Sequence, residues 1–208
     1  MTRSYRSQMR EVRRAATRAA VCRAATELFV ERGYVATTIT AIAEAAGVSA
    51  QTVYDNFGTK RDLLRVIAHE AAVGDVATML DATWVREVEA EPDQWRRWEL
   101  MRQAAASVLT AALPLAAVVK AAAPHEPEIE ALWMEMEAQR RRDCQGLVAL
   151  LLAAGPLRLL EADATDLVWA LSRTTDLYAM LVNERSWPAS KAVAAVSDTI
   201  ARAILPDR

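Results

Sequence analysis

Apolar residues recur every three to four positions along most of the chain, and no run alternates with the two-residue rhythm of a half-buried strand. Val21, Ala24, Ala25, Leu28 and Phe29 form one stripe of a first helix, predicted from Glu11 to Arg32 and closed by Gly33. Thr37-Thr38 offers a hydroxyl cap to a short helix over Ile39–Ala46, with Ile42, Ala43 and Ala46 inward. Gly47 stops that helix and Val48 falls in the core. Ser49 caps a second short helix that runs to Asn56, with Val53 and Phe57 inward. Beyond Gly58-Thr59 a long helix starts at Lys60 with Leu63, Leu64 and Ile67 buried, and either runs on or kinks near Gly74.

Prolines punctuate the rest. Helices are predicted from Asp93 to Ala112, Leu115 to Ala122 and Glu126 to Ala154. An eighth is capped by Asp163 with Asp166 three positions on, and a ninth runs from Pro188 to Leu205. The eighth carries Leu167, Leu171, Thr174, Tyr178 and Leu181 in one stripe. The ninth repeats the device with Val193, Val196, Ile200 and Ala203. The pattern predicts an all-α chain of about nine helices, organised as a basic arm over 1–10, a three-helix domain over 11–65 and a helical bundle over 66–208.

Composition agrees: 6 glycines and 7 prolines in 208 residues leave little to interrupt helices, and 53% apolar residues suffice for a core. Cys22 and Cys144 cannot staple a chain of this size, so a reducing cytoplasm is the expected setting. The arginine-rich start has no apolar run, so no secretory leader is expected. The longest uncharged stretch, Gln103 to Val119, is short, rich in alanine and interrupted by Pro114, which suits a buried helix better than a membrane span. His69 and His125 are the only histidines, and no phosphate-loop, nucleophile-elbow or paired-cysteine motif occurs. Enzyme chemistry, a metal and a cofactor are therefore not expected.

Charge changes the picture more. The net charge of −2 hides an asymmetry: residues 1–65 carry 11 Lys/Arg against 6 Asp/Glu, and residues 66–208 carry 14 against 21. A basic segment on an acidic body suggests that the segment meets a polyanion. The segment also contains two short helices joined by a glycine turn, which is a helix-turn-helix. A steep helix crossing needs a small residue, supplied by Ala43, a turn that admits positive φ, supplied by Gly47, and an apolar anchor, supplied by Val53. The opposite face of the second helix offers Ala50, Gln51, Thr52, Asp55 and Asn56, with Tyr54 at its side. Gln and Asn pair with adenine, Ala and Thr methyls meet thymine methyl, and Tyr, Thr and Lys contact phosphate.

Thr38–Leu64, TITAIAEAAGVSAQTVYDNFGTKRDLL, together with Ala24–Phe29 and Gly33, resembles the DNA-binding domain of the tetracycline-repressor (TetR) family. The resemblance implies that Thr38, Tyr54 and Lys60 contact phosphate, that Ala50, Gln51 and Thr52 read bases beside the capping Ser49, and that Asn56 stands where the family often has histidine. Asp55 is left without a role, and the arm arginines Arg3, Arg6, Arg10, Arg13 and Arg14, which have no fixed counterpart in the family, suit by charge alone either the DNA backbone or a minor groove. Two helices with more than one apolar face near the end of the chain suggest a homodimer, as the resemblance also implies, with Leu167, Leu171, Tyr178, Val193, Val196 and Ile200 at the interface. Trp98, Met101, Trp133 and Trp169 are the candidate lining of an effector pocket, because the resemblance implies that they sit on the helices enclosing the inducer cavity. The expectation is a dimeric repressor that binds a palindromic duplex operator and is released by a small molecule. Two alternatives remain: an activator or ligand-independent regulator, and a helical small-molecule-binding or scaffold protein without specific DNA binding.

Overall fold

Each short helix near the N-terminus begins on a hydroxyl side chain and ends at a glycine, and the observed elements follow those stops. The computed structural model describes residues 2–73, 79–173, 176–177 and 179–207, apart from the side chains of 2–8, 73, 79, 105–111 and 183. The chain is all-α. Among the described residues the α-helices are α1 (Thr2–Ala36), α2 (Ile39–Ala45), α3 (Ala50–Phe57), α4 (Lys60–Val73), α5 (Trp84–Ala90), α6 (Gln94–Ala122), α7 (Pro127–Leu152), α8 (Glu161–Leu171) and α9 (Ala189–Ile204). Among those residues no helix is long and apolar enough to cross a membrane.

The chain divides into two compact units. The first comprises Met1–Glu70 with Pro114–Leu132, and the second Ala71–Leu113 with Trp133–Arg208. In the first, the predicted stripes are the core: Val21, Ala25, Phe29, Ile42, Val53, Leu63 and Leu64 are all fully buried. Val48 and Ala46, expected inside, are only half-buried. In the second unit, Val88, Met101, Val148, Leu151, Ala164, Val168, Ile200 and Ile204 share one core cluster. Two buried polar residues hold helix ends there. Gln94 donates to the carbonyls of Leu151, Gly155 and Pro156 at the end of α7. Arg97 donates to the carbonyls of Glu89, Glu91 and Leu150. These satisfy carbonyls that a helix terminus leaves without an intrahelical partner.

Several expectations are corrected. The basic arm is helical: α1 starts at Thr2, and only Gly33, at φ 79°, departs from helical backbone within it. Pro114 does not divide α6. A proline removes one helical hydrogen bond, but Leu115, Val118, Val119 and Ala122 are all buried just after it, and keeping that face in register offsets the loss. The seven-residue α5, absent from the sequence reading, buries Val85 and Val88 and is too short to show periodicity. At the start of α8, Leu160 stands at the cap with no side-chain hydrogen bond, and Asp166 pairs instead with Arg141 at 2.6 Å. The eighth helix also stops at Leu171, where Arg140 donates to the Trp169 carbonyl at 2.7 Å. A wider π turn follows at Met180–Glu184. Thr174, Tyr178 and the stretch after Val73 containing Gly74 lie outside the described residues.

Candidate nucleic-acid interface

The turn between α1 and α2 is built from a threonine pair whose members do different work. Thr38 is exposed, and its hydroxyl accepts the Ala41 amide at 3.1 Å, capping α2. Thr37 is 1% exposed and its hydroxyl lies 2.8 Å from the Gly33 carbonyl oxygen and 3.1 Å from that of Leu28, closing the end of α1. Sequence reading noted only the capping role. The pair's second member stands directly before Ile39, and that position could have separated the two.

Between α2 and α3 the chain reverses at Gly47, φ 68°, a conformation that costs a residue with a Cβ about 1 kcal/mol or more. The Val48 amide donates to the Ala43 carbonyl at 2.9 Å, and Ala43, 3% exposed, is small enough for the crossing. Ser49 then caps α3: its hydroxyl accepts the Thr52 amide at 3.1 Å. Val53 and Phe57 bury the inner face. Gln51, Tyr54 and Asp55 are exposed, while Ala50, Thr52 and Asn56 are half-buried at the margins.

The polar side chains on this outer face hold one another in place. Gln51 donates through Nε2 to Asp55 Oδ1 at 2.7 Å. Asn56 donates to the Thr52 carbonyl at 2.7 Å, and the Ser49 and Thr52 hydroxyls are 2.8 Å apart. An ionised carboxylate only accepts, so Asp55 fixes which way the Gln51 amide is turned. Among the described residues the carbonyl oxygen of Gln51 and its second N–H take no other partner, which leaves the donor–acceptor pair that matches the adenine edge. Asp55, to which the sequence assigned nothing, is thus a positioning partner of the base-reading candidate.

Lys60 has partners within its own unit. Expected to clamp a phosphate, it turns its ammonium inward, donating to the carbonyls of Tyr34 and Thr37 at 3.0 Å each. The same nitrogen lies 4.1 Å from the centre of the Tyr34 ring, itself stacked on Phe29. Burial lowers the Lys60 pKa below its ordinary value, and the nearby Glu126 carboxylate works against that. The reason is local: Thr59 and Asp62 cap the start of α4 reciprocally, with Thr59 N to Asp62 Oδ2 at 3.1 Å and Asp62 N to Thr59 Oγ1 at 3.1 Å. Lys60 then faces the carboxyl end of α1, where carbonyls lack partners. Arg18 adds a second tie, stacking 4.7 Å over Phe57 and pairing with Glu70 at 3.3 Å. Beside it, burial and Glu70 push the Cys22 thiol up to about 11, so it stays protonated at neutral pH.

In the second unit the four pocket candidates separate. Met101, 4% exposed, belongs to the core cluster, against which Trp98 and Trp169 pack. The indole N–H groups of Trp98 and Trp169 are buried and make no hydrogen bond among the described residues. Trp133 and Trp169 lie 5.9 and 5.2 Å from the Arg173 guanidinium, and Arg140 lies 5.2 Å from Trp169. Glu137 pairs with both arginines, at 3.0 and 2.9 Å, and is held ionised below the usual carboxylate range by their hydrogen bonds and charges, against the opposing effect of its burial. Trp98 alone among the four lines a cleft of about 690 Å³, between the start of α6 and the end of α9. Of the interface candidates, Ile200 is corrected: it is 3% exposed in the protomer's own core. Leu167, Leu171 and Val196 pack partly against that core, and Val193 is half-buried.

Residues 21–67 match the family model described as bacterial regulatory proteins, tetR family. No protein of curated function matches the chain in sequence. Its structure is similar to NalD, the secondary repressor of the MexAB-OprM multidrug efflux pump in Pseudomonas aeruginosa, at TM-score 0.65 and 21% identity over 92% of this chain and 98% of that one. It is similar to the TetR-family transcriptional regulator PfmR from Thermus thermophilus, at 0.61 and 22% over 90% and 99%. A third likeness is to SmeT in complex with triclosan, at 0.70 and 17% over 92% and 93%. At these identities the likeness is one of fold.

Proposed function

We propose, from a tetR-family DNA-binding segment at residues 21–67 and a whole chain with the fold of that family's regulators, that this protein is a dimeric, ligand-responsive transcriptional repressor. The observation that carries the reading is the outer face of α3, where Gln51, oriented by Asp55, stands exposed beside Tyr54 on a helix capped and anchored from behind. Two such helices in successive major grooves would read the halves of an inverted repeat, with Thr38 at a flanking phosphate. The protein acts in the cytoplasm as a regulator rather than an enzyme.

Dimerisation is assigned to α8 and α9 through Leu167, Leu171, Val193 and Val196. The effector is assigned to the second unit, with Trp98 the best-placed of the four candidates because it borders a cleft and has an unpaired indole donor. NalD is a repressor and SmeT binds triclosan, which supports repression and small-molecule response here. A ligand shifts such an equilibrium only by its differential affinity for the two states. Gel-shift titration on the DNA flanking the protein's own gene tests the reading: retardation that survives random competitor DNA is expected. Equal loss to specific and random competitor would favour a helical small-molecule-binding or scaffold protein.

A further inference from the structure

The family-matched part of the DNA-binding unit has no net charge to attract DNA. Residues 21–65 carry five cations against five carboxylates. Of those cations, Lys60 points inward to two carbonyls, Arg32 pairs with Glu31 at 3.6 Å and Arg61 pairs with Asp62 at 3.3 Å. The whole excess of positive charge in residues 1–65 lies in residues 1–20, with six arginines and one glutamate. Affinity of proteins for duplex DNA rests mainly on neutralised phosphates, so a reading helix on a neutral domain needs its electrostatic attraction from elsewhere.

The structure makes that segment a rod rather than a loose tail, since α1 begins at Thr2. Five of its arginines, Arg3, Arg6, Arg10, Arg13 and Arg14, are spaced so that a helix turning about 100° per residue gathers them within an arc of about 100°. Glu11 falls outside that arc. The arc lies on the same side of α1 as Val21, Ala24, Ala25 and Leu28, the buried stripe against which the helix-turn-helix packs. From Arg3 to Arg14 the rise is about 16 Å, close to five base pairs of duplex.

We propose that this N-terminal arginine stripe is a second DNA-contacting surface, which lies along the phosphate backbone and supplies most of the non-specific affinity, while α3 supplies the sequence preference. The proposal rests on the DNA-binding reading above but is tested separately from it. The full-length protein and its R3Q/R6Q/R10Q/R13Q/R14Q variant are titrated with a fluorescent random-sequence duplex of about 30 base pairs between about 50 and 200 mM salt. Circular dichroism checks that the variant is folded, and a second variant with lysine at the same five positions keeps the charge. The glutamine variant is expected to lose at least about three units of the slope of log K against log salt per protomer, with the lysine variant close to wild type. The ratio of affinities for a selected over a random duplex stays unchanged. A glutamine variant within about one unit of the wild-type slope overturns the proposal, as does a lysine variant no better than the glutamine one. Because Met9 and Val12 stand exposed on α1, vesicles of anionic phospholipid form a further arm. Arginine-dependent co-sedimentation with an unchanged DNA slope would assign the stripe to a membrane and overturn the proposal. A wild type without sequence preference would fail the reading of α3, yet the slope comparison would still decide the stripe.

Discussion

Replacing Lys60 by methionine separates two roles for a lysine at the start of α4. The ammonium makes two hydrogen bonds to main-chain carbonyls at 3.0 Å and lies 4.1 Å from the Tyr34 ring centre. Hydrogen bonds from a charged donor contribute about 1.5–3 kcal/mol each when buried, and a cation over an aromatic ring about 0.5–1 kcal/mol. Lys60 is only half-buried, and partial burial already lowers its pKa, so much of that gain is offset by desolvation. The net loss in K60M is then about 2–3 kcal/mol, or a fall of roughly 5–10 °C in melting temperature for a chain of this size. Methionine keeps the aliphatic length against Tyr34 but leaves the Tyr34 and Thr37 carbonyls without a donor. Because Thr38 caps α2 immediately after Thr37, the loosened turn should also weaken DNA binding on all sequences. The salt dependence, however, should change by less than about half a unit, since the ammonium faces the chain and not the duplex. Differential scanning calorimetry and anisotropy titrations at several salt concentrations read both quantities. A variant that melts like wild type but loses a full unit of salt slope would refute the reasoning and restore Lys60 as a phosphate clamp.

Arg97→Ala strands the carbonyls of Glu89, Glu91 and Leu150 in a buried site, and a loss of at least about 3 kcal/mol in urea unfolding is expected. Glu99 is held at about 2, from an ordinary 4.5, by hydrogen bonds from Arg102 and Gln103. A depressed carboxylate stabilises the fold above its ordinary pKa, and that stability fades as pH falls toward 2. The gap in melting temperature between wild type and E99Q should therefore narrow from neutral pH into that acid range, and a constant gap would show that Glu99 contributes nothing through its charge. Gln51→Ala should alter base preference at one position of each half-site while leaving the salt slope intact. An unaltered preference profile in a selection experiment would show that the reading side chain is another.

What was legible in the sequence is what depends on neighbours along the chain. The caps at Thr38 and Ser49, the turn at Gly47 and the anchors Val53 and Phe57 lie within a few residues of what they act on, so α2 and α3 came out nearly residue for residue. The inward contacts of Lys60 were not legible because its partners, Tyr34 and Thr37, lie 26 and 23 positions away. The end of α8 was misread for the same reason, since the guanidinium at the Trp169 carbonyl comes from Arg140, 29 positions earlier. Pro114 carried a correct local penalty that buried neighbours outweighed. The stripe on α9 was correctly read as apolar, but periodicity does not say whether Ile200 meets its own core or a second copy. The neutrality of the domain around α3 was present in the residue counts, yet it gained meaning only once Lys60 was seen to face inward.

The most direct test of the account is selection from a random pool of duplex DNA by the wild-type protein, followed by sequencing of the bound fraction. The account expects enrichment of an inverted repeat whose half-sites are centred about one helical turn apart or a multiple of it. A pool that stays random after repeated rounds at low salt, or a single unrepeated motif, would contradict it.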